Sequence, residues 1–326
     1  MPIHNLGYRE WKGDLEASAT RWTVVSEIGV RRAWQSTWLR RMIFFAWAPA
    51  LGLGGMIFLF ERAAENGGEA ARAFTELSRL VVTGVNDAAR NRMVGEMLTT
   101  RVGDGVESLA EQRHIFWTSL MMVLFRRSQV FLLIPMVGLI APPLISQDIR
   151  SRAFLLYFSR PLTQVQYILG KAATIILYLS LITVLPALLL YLFGVLLSPD
   201  LSIVKYTWDL PLRSIAAAMM IVIPCTLLSL MFSSMTTESR YAAFAWFAVW
   251  IFGAVTYVSV LPIVGPGGNA LIQSLSLLHL FSDVSWWMLD ANAPVEDIGV
   301  RFVVLAVITM VSIAVLIRRV SAPMRI

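Results

Sequence analysis

The apolar residues of this chain fall into six blocks of roughly twenty, the length a helix needs to cross ~30 Å of hydrocarbon. The blocks are Met42–Phe60, Ser128–Ser146, Ala172–Leu197, Ser214–Met235, Tyr241–Val264 and Gly299–Ile317. Apart from Arg301, near the start of the last, none contains Asp, Glu, Lys or Arg. A soluble core helix has no need of such stretches, because only one of its faces is buried. The expected fold is therefore all-α: a polytopic membrane protein with six transmembrane helices. Composition agrees, with 57% hydrophobic and 15% charged residues against about 25% charged in an average soluble domain. An ordinary water-soluble enzyme and a disordered chain are both excluded.

An even number of spans puts both termini on one side, and the charges choose which. If the N-terminus is cytoplasmic, the inside segments hold 15 basic and 6 acidic residues, and the +6 of the whole chain divides into +9 inside and −3 outside. Basic residues favour the cytoplasmic side of short loops, so an inner-membrane protein with cytoplasmic ends is expected. The same charges, mostly arginines between apolar blocks, form no basic stripe with interleaved aromatics, and nucleic acid is not an expected partner. The first block begins only at Met42, beyond the reach of a signal-peptide core, so it is expected to remain as a span.

The site chemistry of soluble enzymes is missing from the sequence. The single Cys225 lies within an apolar block, and His4, His114 and His279 are far apart, with no second metal ligand at helical spacing. The spans carry no midplane acid or base of the kind that marks proton and ion relays. Their polar residues are small, among them Ser180, Thr183, Thr226, Ser229, Thr256 and Ser259, which suit helix-to-helix hydrogen bonds. Pro186, Pro224 and Pro262 are candidate kink points.

Between the spans, four segments have character. Residues 1–41 begin polar, and residues 20–38 interleave Trp22, Val25, Ile28, Trp34 and Trp38 with arginines, the pattern of a helix lying in the headgroup plane. Residues 61–127, the longest hydrophilic stretch, read as a small helical extracytoplasmic cap between the first two spans, open to an external partner. Ile115–Phe125 within it suits either an interfacial helix or the outer part of a long second span. Residues 265–298 open on Gly265-Pro266-Gly267-Gly268 and pass Trp286-Trp287; they suit a short helix that dips into the outer leaflet or lies on its surface. On this reading residues 42–326 form one transmembrane domain preceded by the 1–41 tail and interfacial helix.

The fourth segment, 146–171, joins the second and third spans on the cytoplasmic side. A short helix is expected to start after Asp148, to carry an aromatic ridge at Phe154, Leu155, Tyr157 and Phe158, and to stop at Ser159-Arg160-Pro161. Thr163 then caps a second helix through Tyr167 into Gly170-Lys171 and the third span. Such a partly apolar knob suits a groove on a cytoplasmic partner.

Asp148–Arg152, then Phe158-Ser159-Arg160-Pro161-Leu162, then Tyr167-Ile168-Leu169-Gly170-Lys171 resembles the pattern of ABC-2 type transporter permeases, the membrane subunits of type V ABC exporters. In that family D-R-x-x-G, S-R-P-L-S-R and Y-x-x-G-K join TM2 to TM3 as a coupling helix. This chain has Ala153 and Gln164 where glycine and arginine are common. The resemblance implies a permease driven by a separate ABC ATPase subunit, paired with a second permease, whether a copy of itself or a paralogue, in membrane lipid. It places coupling on Asp148, Arg150, Arg152, Phe154, Tyr157, Ser159, Arg160, Pro161, Gly170 and Lys171. This chain needs no cofactor on that reading, with ATP and Mg²⁺ held by the partner: Val165 and Ala172 stand where a phosphate-binding loop ending at Gly170-Lys171 would need glycine and a hydroxyl residue. The rival class is a non-transporting scaffold or sensor whose cap binds an external partner.

Overall fold

The computed structural model describes residues 20–66, 105–153, 162–198, 201–264, 273–290, 295 and 297–321. Among them every regular element is a helix. Six helical stretches are long and apolar enough to cross a membrane: Thr37–Arg62, Phe131–Arg150, Gln164–Leu197, Ile203–Met235, Ser239–Val260 and Ile298–Ser321. Each overlaps one of the six apolar blocks, and most run past the block into polar residues, because backbone hydrogen bonding does not stop where hydrophobicity does.

The elements are α1 (Arg21–Trp34), α2 (Thr37–Asn66), α3 (Gly105–Val123), a π-helical turn (Leu124–Gln129), α4 (Val130–Ile140), α5 (Pro142–Arg150), α6 (Gln164–Ile182), α7 (Val184–Leu197), α8 (Ile203–Thr207), α9 (Asp209–Met235), α10 (Ser239–Val264), α11 (Leu277–Leu289) and α12 (Ile298–Ser321). The centre is α9, which packs against α5, α6, α7, α10, α11 and α12. Outer faces of α10 and α12 stay bare and apolar, with Phe244, Ile251, Phe252 and Val258 on one and Val303, Val307 and Met310 on the other. Faces of this kind are unsuited to water and suited to lipid. Both described ends of the chain lie at one end of the bundle: Ser321 Oγ donates to Gln164 Oε1 at 2.9 Å, and α1 packs along α6.

Residues 61–66 continue α2, and 105–127 pass through α3 and the π-helical turn towards α4. Residues 67–104, the middle of the expected cap, lie outside the described residues. Of the two readings of Ile115–Phe125, continuity with the second span holds, since Phe116, Trp117, Leu120, Leu124 and Phe125 are buried in the core. Of the two readings of 265–298, a surface-lying helix does not describe α11. Leu277, Leu280, Phe281, Val284 and Leu289 are buried against α9, α10 and α12, so α11 is part of the bundle; Gly265–Gly268 lie outside the described residues.

The expected kinks divide. The third span breaks at Thr183, between α6 and α7, because Pro186 offers no N–H to the Ile182 carbonyl and its ring crowds that turn. Trp47 Nε1 donates to the Leu181 carbonyl at the break, at 3.2 Å. Helices α9 and α10, by contrast, run unbroken past Pro224 and Pro262.

A second break separates α4 from α5, where Pro142 and Pro143 both lack N–H groups. Ser233, from α9, mends it: its hydroxyl accepts from Ile145 N and Ser146 N, each at 3.1 Å, and donates to the Pro142 carbonyl at 2.7 Å. Backbone freed inside a membrane bundle must find such a partner. Ser233→Ala is expected to cost about 1–2 kcal/mol, because two buried donors are orphaned. Ser146→Ala should cost under about 0.5 kcal/mol, since Ser233 still serves the Pro142 carbonyl. Unfolding by sodium dodecyl sulfate in mixed micelles measures both.

Candidate functional site

The site lies at the end of the bundle that carries the termini, where α5 ends and α6 begins. The α6 start is built as expected: Thr163 and Gln166 form a capping box, with Gln166 N donating to Thr163 Oγ1 at 3.3 Å and Thr163 N to Gln166 Oε1 at 3.1 Å. Residues four apart on a helix share a face, so Tyr167 and Lys171 point the same way, towards the last turn of α5. There Asp148 Oδ2 accepts from Tyr167 OH at 2.7 Å and pairs with Lys171 Nζ at 2.7 Å. The Lys171 ammonium also sits 5.4 Å from the Tyr167 ring centroid. Asp148 and Lys171 are each only 7% exposed and Tyr167 is fully enclosed. A buried ion pair gains little over apolar packing, but it is costly to break from one side. It therefore locks the angle between the second and third spans.

The expectation of a helix starting after Asp148 is corrected here. Asp148 lies inside α5, which starts at Pro142 and ends at Arg150. Its carboxylate is engaged across helices and leaves the local backbone uncapped. The helix stops two residues later, where Arg152 takes φ 53° and its N–H reaches the Ile149 carbonyl at 3.2 Å, while Ala153 N reaches the Asp148 carbonyl at 2.9 Å. This is the Schellman arrangement, with arginine at the left-handed position usually given to glycine. The chain leaves α5 in a sharp turn at Arg152.

Neighbouring elements brace the same turn. Gln147 accepts a hydrogen bond from Arg32 of α1. Arg150 pairs with Glu238, before α10, at 3.2 Å, an exposed contact worth at most about 1 kcal/mol. Helix α1 lies against α6 through small residues: Val25 and Gly29 are buried, Tyr178 OH donates to the Val30 carbonyl at 2.8 Å and Thr174 Oγ1 to the Ser26 carbonyl at 3.3 Å. Gly170 has no room for a side chain, since a Cβ there would sit 2.6 Å from Val25 Cβ and 2.7 Å from the Trp22 carbonyl oxygen.

Of the ten residues assigned to coupling, Asp148, Gly170 and Lys171 meet in one place, while Arg150 and Arg152 stand on its exposed rim. Phe154, Tyr157, Ser159, Arg160 and Pro161 lie outside the described residues. Tyr167, Arg32, Gln147 and Glu238 complete the geometry and were not among the ten. The i, i+4 spacing of Tyr167 and Lys171 on a capped helix was a usable signal for the first; nothing in sequence pointed to the others.

The opposite end of the bundle holds charges that sit at span edges in the sequence but are paired inside the fold. Arg113 grips Glu61 through Nε at 2.9 Å and Nη2 at 2.6 Å. Asp209 Oδ1 lies 3.1 Å from His114 Nε2, and Oδ2 pairs with Arg213 at 2.9 Å. Arg301 pairs with Asp283 and donates to Gln273 at 2.8 Å. Arg126, in the π-helical turn, donates to Ser282 at 2.7 Å and covers Trp286 at 5.0 Å. His279 of α11 stacks on Tyr257 at 3.4 Å; burial first, then Arg126 and Arg301, push its imidazole down to about 4, so it is neutral near pH 7. These contacts tie α3, α11 and the spans together. No group of three or more His, Cys, Asp or Glu able to hold a metal occurs among the described residues.

No protein-family model matches this chain, and no curated protein matches it.

Proposed function

We propose that the chain is the permease subunit of an ATP-driven transporter, an exporter on the resemblance of its 146–171 segment, powered by a separate ABC ATPase and working with a second permease. The observation that carries this reading is the Asp148–Tyr167–Lys171 lock. It binds the two stems of the 146–171 segment to each other, so a push on residues between them is transmitted to both the second and third spans rather than absorbed by a slack loop. Helix α1, joined to both stems through Arg32 and Gly170, is an interfacial helix that moves with them. The +9 charge of the terminus-bearing side supports its placement in the cytoplasm of an inner-membrane protein. Transport requires two arrangements of the bundle that ATP and cargo bias in opposite senses. The break at Thr183 and the Pro142-Pro143 break are the joints available for it.

Affinity-tagged chain extracted from its native membrane in mild detergent is expected to bring with it a subunit bearing a phosphate-binding loop. The paired change Phe154→Asp and Tyr157→Asp should lower recovery of that subunit at least ~10-fold without lowering the yield of the chain itself. Recovery of the chain alone, or undiminished recovery by the double variant, would remove the coupling role from this segment.

A further inference from the structure

We infer that the first turns of α2, just past its junction with α1, form a headgroup site for an anionic phospholipid of the adjoining leaflet. The first turns of α2 place Thr37, Arg40, Arg41, Phe44 and Phe45 around one open groove. Both arginines are exposed, and among the described residues neither is paired with a carboxylate. Several other arginines are paired with a carboxylate: Arg31 with Glu27, Arg113 with Glu61, Arg150 with Glu238 and Arg301 with Asp283. Here the Arg40 guanidinium donates to Thr37 Oγ1, itself on the groove, at 3.5 Å, and Arg41 rests over the Trp38 ring at 6.0 Å.

The surroundings distinguish this pair from a plain basic surface. Trp38 is 69% exposed, Phe44 78% and Phe45 62%, so three aromatic rings project outward within two turns of the guanidinium groups. Aromatic side chains at the end of a span settle at headgroup depth. Phe44 and Phe45 continue onto the apolar outer face of α2, along which acyl chains would run. A ligand that is anionic at one end and apolar at the other satisfies both halves of the groove. A phosphodiester fits two guanidinium groups and a hydroxyl through charge-assisted hydrogen bonds. Leu39, between these groove residues in sequence, is fully buried and lines the cleft that Arg32 and Gln147 border, so the groove lies next to the junction of α1 and α2.

Purified full chain in neutral detergent, titrated with phosphatidylglycerol or with phosphatidylcholine of the same acyl chains and followed by native mass spectrometry, tests the assignment. Phosphatidylglycerol is expected to bind at least ~10-fold more tightly. Each basic residue beside an anionic lipid is worth roughly a factor of five, so Arg40→Gln with Arg41→Gln should weaken binding about 25-fold. Arg318→Gln with Arg319→Gln removes an equally exposed pair that lacks the aromatic groove, and should leave binding within about twofold. All four positions changed are on the surface, and an unchanged circular dichroism spectrum establishes folding. Equal binding of the two lipids, equal losses from the two arginine pairs, or displacement by water-soluble glycerol phosphate at the lipid's own concentration would each overturn the site.

Discussion

Replacing Asp148 with alanine is expected to lower the free energy of unfolding by about 3–5 kcal/mol, the usual cost of removing one partner from a buried ion pair. The change strands the Lys171 ammonium in a setting where its side chain is only 8% exposed, and it takes from the enclosed Tyr167 hydroxyl its 2.7 Å acceptor. Asp148→Asn should cost less, because the amide oxygen still accepts from Tyr167. The charge is not required for folding as such. Asp148→Leu combined with Lys171→Met and Tyr167→Phe, which removes both charges and the hydroxyl that Asp148 served and keeps the volume, should return stability to within about 1.5 kcal/mol of the parent. A detergent-unfolding series on these variants gives the coupling energy of the pair directly. A loss of under about 1 kcal/mol for Asp148→Ala would mean that the pair is hydrated and locks nothing.

The consequence for function is separable from stability. The apolar triple variant holds the stems together without a directional bond, so it should fold while allowing the two spans to rotate more freely. On the proposed reading its transport, relative to ATP turnover by the partner, falls more than its stability does.

Gly170→Val should be the next most damaging change, at about 3 kcal/mol, the upper part of the range for overpacking. The reason is the identity of the obstacle. A Cβ at Gly170 would meet the Trp22 carbonyl oxygen at 2.7 Å, and a backbone atom in the first turn of α1 cannot swing aside as a side-chain tip would. Relief comes only if α1 lifts from α6, which forfeits the Tyr178–Val30 and Thr174–Ser26 hydrogen bonds as well. Limited trypsin digestion reads this specifically. Cleavage after Arg31 and Arg32 should accelerate at least ~10-fold in the variant, since a docked helix must open before a protease can cut it. Unaltered cleavage with unaltered stability would show that α1 does not rest on Gly170.

Much of the fold was legible because lipid imposes a simple requirement. A span must bring roughly twenty apolar residues and satisfy its own backbone, and Met42–Phe60 and Ala172–Leu197 both fall in helices long and apolar enough to do so. The break near Pro186 was legible for the same reason, since the loss of an N–H is a property of the residue itself. Ser233 was not. Small hydroxyl residues recur throughout the spans, and only the position of α9 beside Pro142 makes this one the partner of two N–H groups. Residues 105–127 were legible only in part: the sequence left Ile115–Phe125 between an interfacial helix and the outer part of the second span, and that Arg113 is paired with Glu61, fifty-two residues away, is a tertiary fact.

The candidate site divides along the same line. Asp148, Gly170 and Lys171 stood out in sequence as parts of one segment, and the Thr163 cap was local enough to read directly. That Asp148 belongs to the end of α5, and that its carboxylate crosses to Tyr167 and Lys171, depends on the approach of two helices joined by residues whose course the sequence does not encode locally. Sequence alone therefore determined the solvent, the number of spans and the asymmetry of charge, because hydrophobicity and charge act through each residue's own transfer energy. Tertiary structure decided which charges are buried in pairs, where the helices bend and which stems are bolted together, because those depend on distances between residues far apart in the chain.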